Sequence, residues 1–188
     1  HYNIICLTGF YTTLLRPQYT AYHMAKQFVI SDENVLNDRG FRVMTSGIRL
    51  GRFSKNPICL FMHSRPSRWD LKSDSVLAIG TWENLKIENG QLIGTPVFDE
   101  GDEFAKRIMD KVEKGIYRMC SPGLEPITTS SDAQYLLPGQ RYETVVDSEL
   151  IEISIADIGS NPNSLALYRV DEKNELVCLS AENITLAV

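Results

Sequence analysis

A hydroxyl nucleophile at neutral pH needs a neighbour that takes its proton, and histidine is the usual one. The chain has three histidines. His1 and His23 fall in an atypical leading stretch, which leaves His63 as the candidate base. His63 follows directly on the apolar run Ile58-Cys59-Leu60-Phe61-Met62. A strand end that opens into a loop is where a rigid scaffold presents a side chain to a site, although taken alone such a histidine is more often structural. Ser121 stands in Met119-Cys120-Ser121-Pro122-Gly123. At the end of a strand this arrangement exposes the hydroxyl, and glycine lets a substrate approach the backbone closely; the plainer alternative is a Ser-Pro-Gly turn. Glu152 sits between isoleucines in mid-strand, where glutamate is disfavoured. It reads either as a solvent-facing strand residue or as the acid that orients an imidazole and stabilises its charged form. Glu149 and Asp157 compete for that role, but an odd spacing from Glu152 puts both on the opposite face of a regular strand. Cys120 offers a second nucleophile. It faces away from Ser121, however, and cysteine is commonly a buried apolar residue.

The elements that must position these residues follow from hydrophobic pattern. Phe28–Ile30 and Phe41–Ser46 read as strands separated by Asn37-Asp38-Arg39-Gly40 turn chemistry. Gly47–Pro57 reads as a loop and Ile58–Met62 as a buried strand, with a polar loop at Ser64–Ser75. Val76–Glu88 and Leu92–Phe98 flank Asn89-Gly90, a hairpin signal. One amphipathic helix is expected over about 102–114, with Phe104, Ile108 and Val112 on one face, acids in its first turn and Gly115 as C-cap. Ile116–Cys120 reads as a short strand leading into Ser121, Thr128–Gln140 as a polar loop and Tyr142–Ile158 as an alternating strand. The sum is a mostly β (α+β) fold with one helix and room for short extra ones. Residues 1–23 are expected to be an extension outside the working fold, with Met24 as a natural start. The domain then spans 24–170, and 171–188 forms a tail.

Bulk composition excludes several classes. With 188 residues the chain is close to one domain, at roughly 150 residues per domain. A net charge of −5 without a basic stripe argues against general nucleic-acid binding. The cysteines at 6, 59, 120 and 178 are too far apart for a structural zinc site and fit free thiols in a reducing compartment. No apolar run approaches the roughly 20 residues of a membrane span.

Several segments, in order from Phe28 to Leu167, resemble the tailed-phage prohead (capsid maturation) protease family. Asn56-Pro57 with the apolar run ending in His63 is similar to the family's "NP, apolar, His" motif. Ile79-Gly80-Thr81-Trp82 is similar to its "IG" strand, and Thr95–Asp99, the helix and Lys114-Gly115 to the element before its nucleophile. Cys120-Ser121-Pro122-Gly123-Leu124 resembles the nucleophile segment. Glu149–Ile155 with Asn161-Pro162-Asn163-Ser164-Leu165 resembles the family's closing motifs.

The resemblance implies a closed β-barrel of the herpesvirus assemblin kind. It also implies a serine endopeptidase with His63 as base, Ser121 as nucleophile and Glu152 as third member, working without metal or organic cofactor. The implied substrates are the phage's major capsid protein, its scaffold polypeptide and the protease itself. They would be processed in the procapsid interior or the bacterial host cytoplasm, with self-association of the chain and no nucleic-acid or membrane partner. Pro122 departs from the family pattern and has no N–H to offer an oxyanion. Gly123, Gly159 and Ser160 are then the candidate donors. A Cys120-dependent peptidase and a non-catalytic assembly module on the same fold are the alternatives.

Overall fold

The computed structural model describes residues 26–65, 78–170 and 176–178. The expected extension 1–23, Met24, most of the Ser64–Ser75 loop and most of the 171–188 tail lie outside the described residues.

The alternating run at 144–156 forms the longest of the described strands, β7 (Thr144–Ala156), and the rest of the sheet is built around it. One edge of β7 pairs antiparallel with β6 (Met119–Ser130). Along its other edge, β2 (Ile48–Arg49) and then β3 (Ile58–Phe61) pair in parallel. Strand β4 (Gly80–Glu88) continues from β3, β5 (Gln91–Phe98) from β4, and β1 (Phe28–Asp32) from β5. The described residues are therefore mostly β, a curled half-barrel sheet with one α-helix among them, α1 (Glu103–Glu113). Residues 164–167 bridge toward the two ends of the sheet. Leu165 O accepts from Val29 N–H and Leu167 N–H donates to Gln27 O; Ser164 O accepts from Cys120 N–H and Ala166 N–H donates to Arg118 O. A two-stranded sheet, β8 (Tyr168–Val170) with β9 (Leu176–Cys178), carries the chain past residue 170.

The local chemistry explains most elements. Asn89 and Gly90 both take positive φ, 52° and 75°, which is the backbone a tight hairpin between β4 and β5 requires. Asp102 caps α1 by accepting from Phe104 N–H, and Ala105, Ile108 and Val112 form its buried face. At the other end of the helix, buried Lys26 donates to Val112 O at 2.8 Å and Glu113 O at 2.7 Å. A cation there also meets the negative end of the helix dipole. Burial pulls the Lys26 ammonium below its ordinary range, against the opposing charge and hydrogen bond of Glu113. Lys26→Ala is expected to lower stability by about 1–2 kcal/mol, read as a shift in the urea midpoint at constant slope.

Several expectations change. Phe41–Ser46 is not a strand; only Val43 forms a bridge, to Val145, and Thr45–Gly47 is a 3-10 turn. Glu33 is the reason: its Oε2 takes both the N–H and the hydroxyl of Thr45, so that amide has no need of a strand partner. Likewise Gly47–Pro57 is not all loop, since it holds β2 and a 3-10 turn at Phe53–Lys55.

The strand into Ser121 is also far longer than Ile116–Cys120. It starts at Met119 and runs through both prolines to Ser130, so the polar loop begins later than expected. Cys120 donates its amide away from β7, to Ser164 O. Antiparallel alternation then points the Pro122 backbone outward too, where the missing N–H breaks no ladder bond.

The core gathers Phe28, Trp82, Leu92, Cys120, Ile153 and Ile155 beneath α1. Trp82 stacks edge-on against Phe28 and donates Nε1–H to Ile153 O, which anchors β7 at the residue after Glu152. Among the described residues no helix is long and apolar enough to cross a membrane.

Candidate active site

Strands β3, β7 and β6 lie side by side, and each delivers one group to the same place. Ser121 on β6 pairs directly with Ser154 on β7, and Gly123 pairs with Glu152. Leu60 of β3 pairs with Ser154 from the other side, so His63 leaves the end of β3 close to the same residue. His63 and Ser121 both line a cleft of about 600 Å³, whose walls include Arg39, Pro122, Leu124 and Ser160.

The imidazole is held tightly. Its Nδ1 lies 2.5 Å from Glu152 Oε1, while Glu152 Oε2 accepts from Ser154 Oγ at 2.7 Å. Glu152 is thus no solvent-facing residue. Its side chain is 6% exposed against 46% for His63, so the acid is buried behind a base that opens to the cleft. The Glu152 hydrogen bond lifts the imidazole above its ordinary range, and the carboxylate's charge adds to this. Partial burial and the Arg39 charge pull the other way without cancelling it. With the carboxylate accepting from Nδ1–H, a neutral ring keeps its lone pair on Nε2, the nitrogen free to act as base.

The backbone that presents His63 is strained. Met62 and His63 have φ of 54° and 55°, in the left-handed region, and Ser64 N–H closes the turn on Phe61 O at 3.0 Å. Each such non-glycine residue costs roughly 1–2 kcal/mol. The His63 amide is secured by Ser154 Oγ at 3.1 Å. Strain of this sort persists only where surrounding contacts over-determine it, and it gathers at functional sites.

The competing acids stand elsewhere. Glu149 pairs with Arg52 at 3.6 Å, and Asp157 is exposed and accepts from Ile158 N–H. Cys120 is fully buried against Val29 O, and burial pushes its thiol well up. Of the oxyanion candidates, only Ser160 borders the cleft. Gly159 N–H points at Met119 Sδ, 3.4 Å away, and a Cβ there would lie 2.8 Å from the Cys120 carbonyl oxygen. The alternation that turns Cys120 N–H outward turns the amides of Ser121 and Gly123 toward β7.

Gly123 has a different reason to be glycine. A Cβ there would lie 2.3 Å from Glu152 Oε1. Gly123→Ala must therefore displace the carboxylate from His63. We expect a fold close to wild type and reactivity of Ser121 reduced by about 10²-fold, the usual cost of a misplacement near 1 Å. Labelling kinetics with a fluorophosphonate on the two proteins would measure it.

Three roles around the site are not carried by the sequence pattern. Ser154 is legible in part, because its spacing of two from Glu152 puts it on the same face of the otherwise apolar run 150–156. Gly123 reads in sequence as a backbone donor, not as the space that its missing side chain leaves for Glu152. Arg39 reaches the site only through the path of a loop, and nothing in its neighbours marks it. No family model matches the chain, and neither does a curated protein or a solved structure.

Proposed function

We propose that the chain is a serine endopeptidase with Ser121 as nucleophile, His63 as general base and Glu152 as the residue that orients the base. The observation that carries this is the 2.5 Å bond between His63 and the buried Glu152, in the wall of a cleft that Ser121 also lines. His63 Nε2 takes the Ser121 proton as Oγ attacks the scissile carbonyl. It then returns that proton to the leaving amine, and water repeats the sequence to free the acyl-enzyme. Acyl transfer of this kind needs no cofactor. Cys120 is the poorer nucleophile here, since its sulfur faces the core and the thiolate is disfavoured by burial.

The substrate reading rests on the sequence resemblance: the phage's major capsid and scaffold polypeptides and the chain itself, processed inside the procapsid or in the host cytoplasm, with self-association of the protease. We also read the sheet as closing into an assemblin-like barrel. Residues 164–167 would be the closing segment, because they hydrogen-bond to the chain on both sides, at β1 and at β6.

One observation favours a non-catalytic assembly module instead: Ser121 Oγ and the His63 ring are not hydrogen-bonded to each other. Such contacts are often long before substrate arrives and tighten in the Michaelis complex. A fluorophosphonate reagent separates the two. A peptidase gives a covalent adduct mapped to Ser121 by peptide mass spectrometry, and capsid polypeptide co-expressed with it is cut. An assembly module gives neither.

A further inference from the structure

Ser154 is invisible to a reading that stops at nucleophile, base and acid, yet it touches two parts of the constellation at once. Its Oγ–H donates to Glu152 Oε2 at 2.7 Å, and the same oxygen accepts from the His63 backbone N–H at 3.1 Å. The residue is fully buried, and its cross-strand neighbour is Ser121. Its hydroxyl therefore has no water to serve and no spare proton to give; both of its capacities are spent on the site.

Those two bonds act on different degrees of freedom. The bond to Oε2 fixes the rotation of the carboxylate, so that Oε1 alone faces the imidazole. The bond from His63 N–H pins a turn whose two central residues sit at φ of 54° and 55°. Without an acceptor at that spot the amide would be orphaned beside a buried surface, and the turn would relax toward ordinary backbone geometry. Resting on the peptidase reading above, we infer that Ser154 is a positioning residue of this site: one hydroxyl that locks the Glu152 carboxylate and the His63 backbone in mutual register. It touches neither substrate nor the reacting atoms, and its effect passes through His63.

Three variants test this. Ser154→Ala deletes both bonds, Ser154→Cys keeps nearly the same shape with only a weak donor and acceptor, and Ser154→Thr restores the hydroxyl. The readouts are the His63 ring titration by NMR, which needs no turnover, and the rate of fluorophosphonate labelling at Ser121 as a function of pH. Ser154→Ala and Ser154→Cys are both expected to move the His63 midpoint down toward its ordinary value and to slow labelling by about 10- to 100-fold, as loss of a supporting hydrogen bond does. Ser154→Thr should recover most of both. A Cys variant that matches wild type would make Ser154 a shape-filling residue and overturn the proposal, as would an Ala variant with unchanged titration. If wild type takes no label while Ser154→Ala still shifts the titration, the positioning role holds and the peptidase reading fails. Normal labelling in wild type and Ser154→Ala alike, lost in Ser121→Ala, would leave the peptidase reading intact and remove Ser154 from it.

Discussion

Ser121→Ala is expected to abolish the fluorophosphonate adduct and to lower peptide hydrolysis by about 10⁴-fold or more, the scale on which loss of a serine nucleophile acts. The change should cost little stability. Ser121 is buried to 6% exposure and sits on a strand whose ladder to β7 is made by backbone, not by its hydroxyl. Removing one hydroxyl there is worth about 1 kcal/mol or less, so thermal melting of the variant should overlay closely on wild type. Lost labelling with an unchanged melt assigns the hydroxyl to chemistry. Lost labelling with a collapsed melt would assign it to folding, and hydrolysis that survives in a well-folded variant would send the search to another nucleophile.

That separation between hydroxyl and scaffold shows why some of the molecule was legible in sequence and some was not. β4, β5 and α1 were readable because a local signal fixes each: Asn89-Gly90 at the hairpin, Asp102 at the cap, apolar spacing along the helix. Strand β6 was not, because prolines normally argue against a strand. Only its partner β7 and the neighbouring segment 164–166 decide which edge Pro122 presents. Phe41–Ser46 failed for the same reason in reverse: a strand-like composition lost to Glu33, a side chain distant in sequence that took the Thr45 amide.

Glu152 shows what alternation can and cannot say. Alternation puts it on the face opposite Ile153 and Ile155, and that face meets His63 rather than solvent. The simple alternation also breaks at Ile151. The register steps from Gly123↔Glu152 to Leu124↔Leu150, so Ile151 bulges out to half-burial and Leu150 joins the core.

The sharpest test of the constellation is Glu152→Gln, which keeps the shape and removes the charge. The carboxylate now accepts on both oxygens, from His63 Nδ1 and from Ser154 Oγ. A carboxamide has one accepting oxygen and one donating nitrogen. If its NH₂ turns to His63, the ring is pushed into the tautomer with the proton on Nε2, which then has no lone pair for Ser121. If its oxygen turns to His63, the NH₂ meets Ser154 and the hydroxyl loses its acceptor. Neither orientation reproduces the native site. A neutral replacement of this kind in a triad costs about 10⁴-fold in rate at neutral pH, and we expect a loss of that order.

The pH dependence carries the sign. His63 acts as base only when unprotonated, so wild-type rate should rise with pH through a midpoint above the ordinary histidine value, roughly 6.5. The ring faces Glu152 from β7 and Arg39 from the loop after β1. In the variant the raising influence is gone and Arg39 remains, so the midpoint should fall to the ordinary value or below it. Stability follows the same linkage. A raised folded-state value means that the His63–Glu152 pair contributes fully below the ordinary value and loses its contribution as pH climbs through the folded one. The advantage of wild type over Glu152→Gln should therefore be larger at pH 5.5 than at pH 8.5. It should stay within about 1 kcal/mol, since the half-exposed ring is screened by water. A midpoint that rises in the variant, or a stability gap that widens with pH, would mean that Glu152 does not hold the charged imidazole and that its 2.5 Å approach serves packing alone.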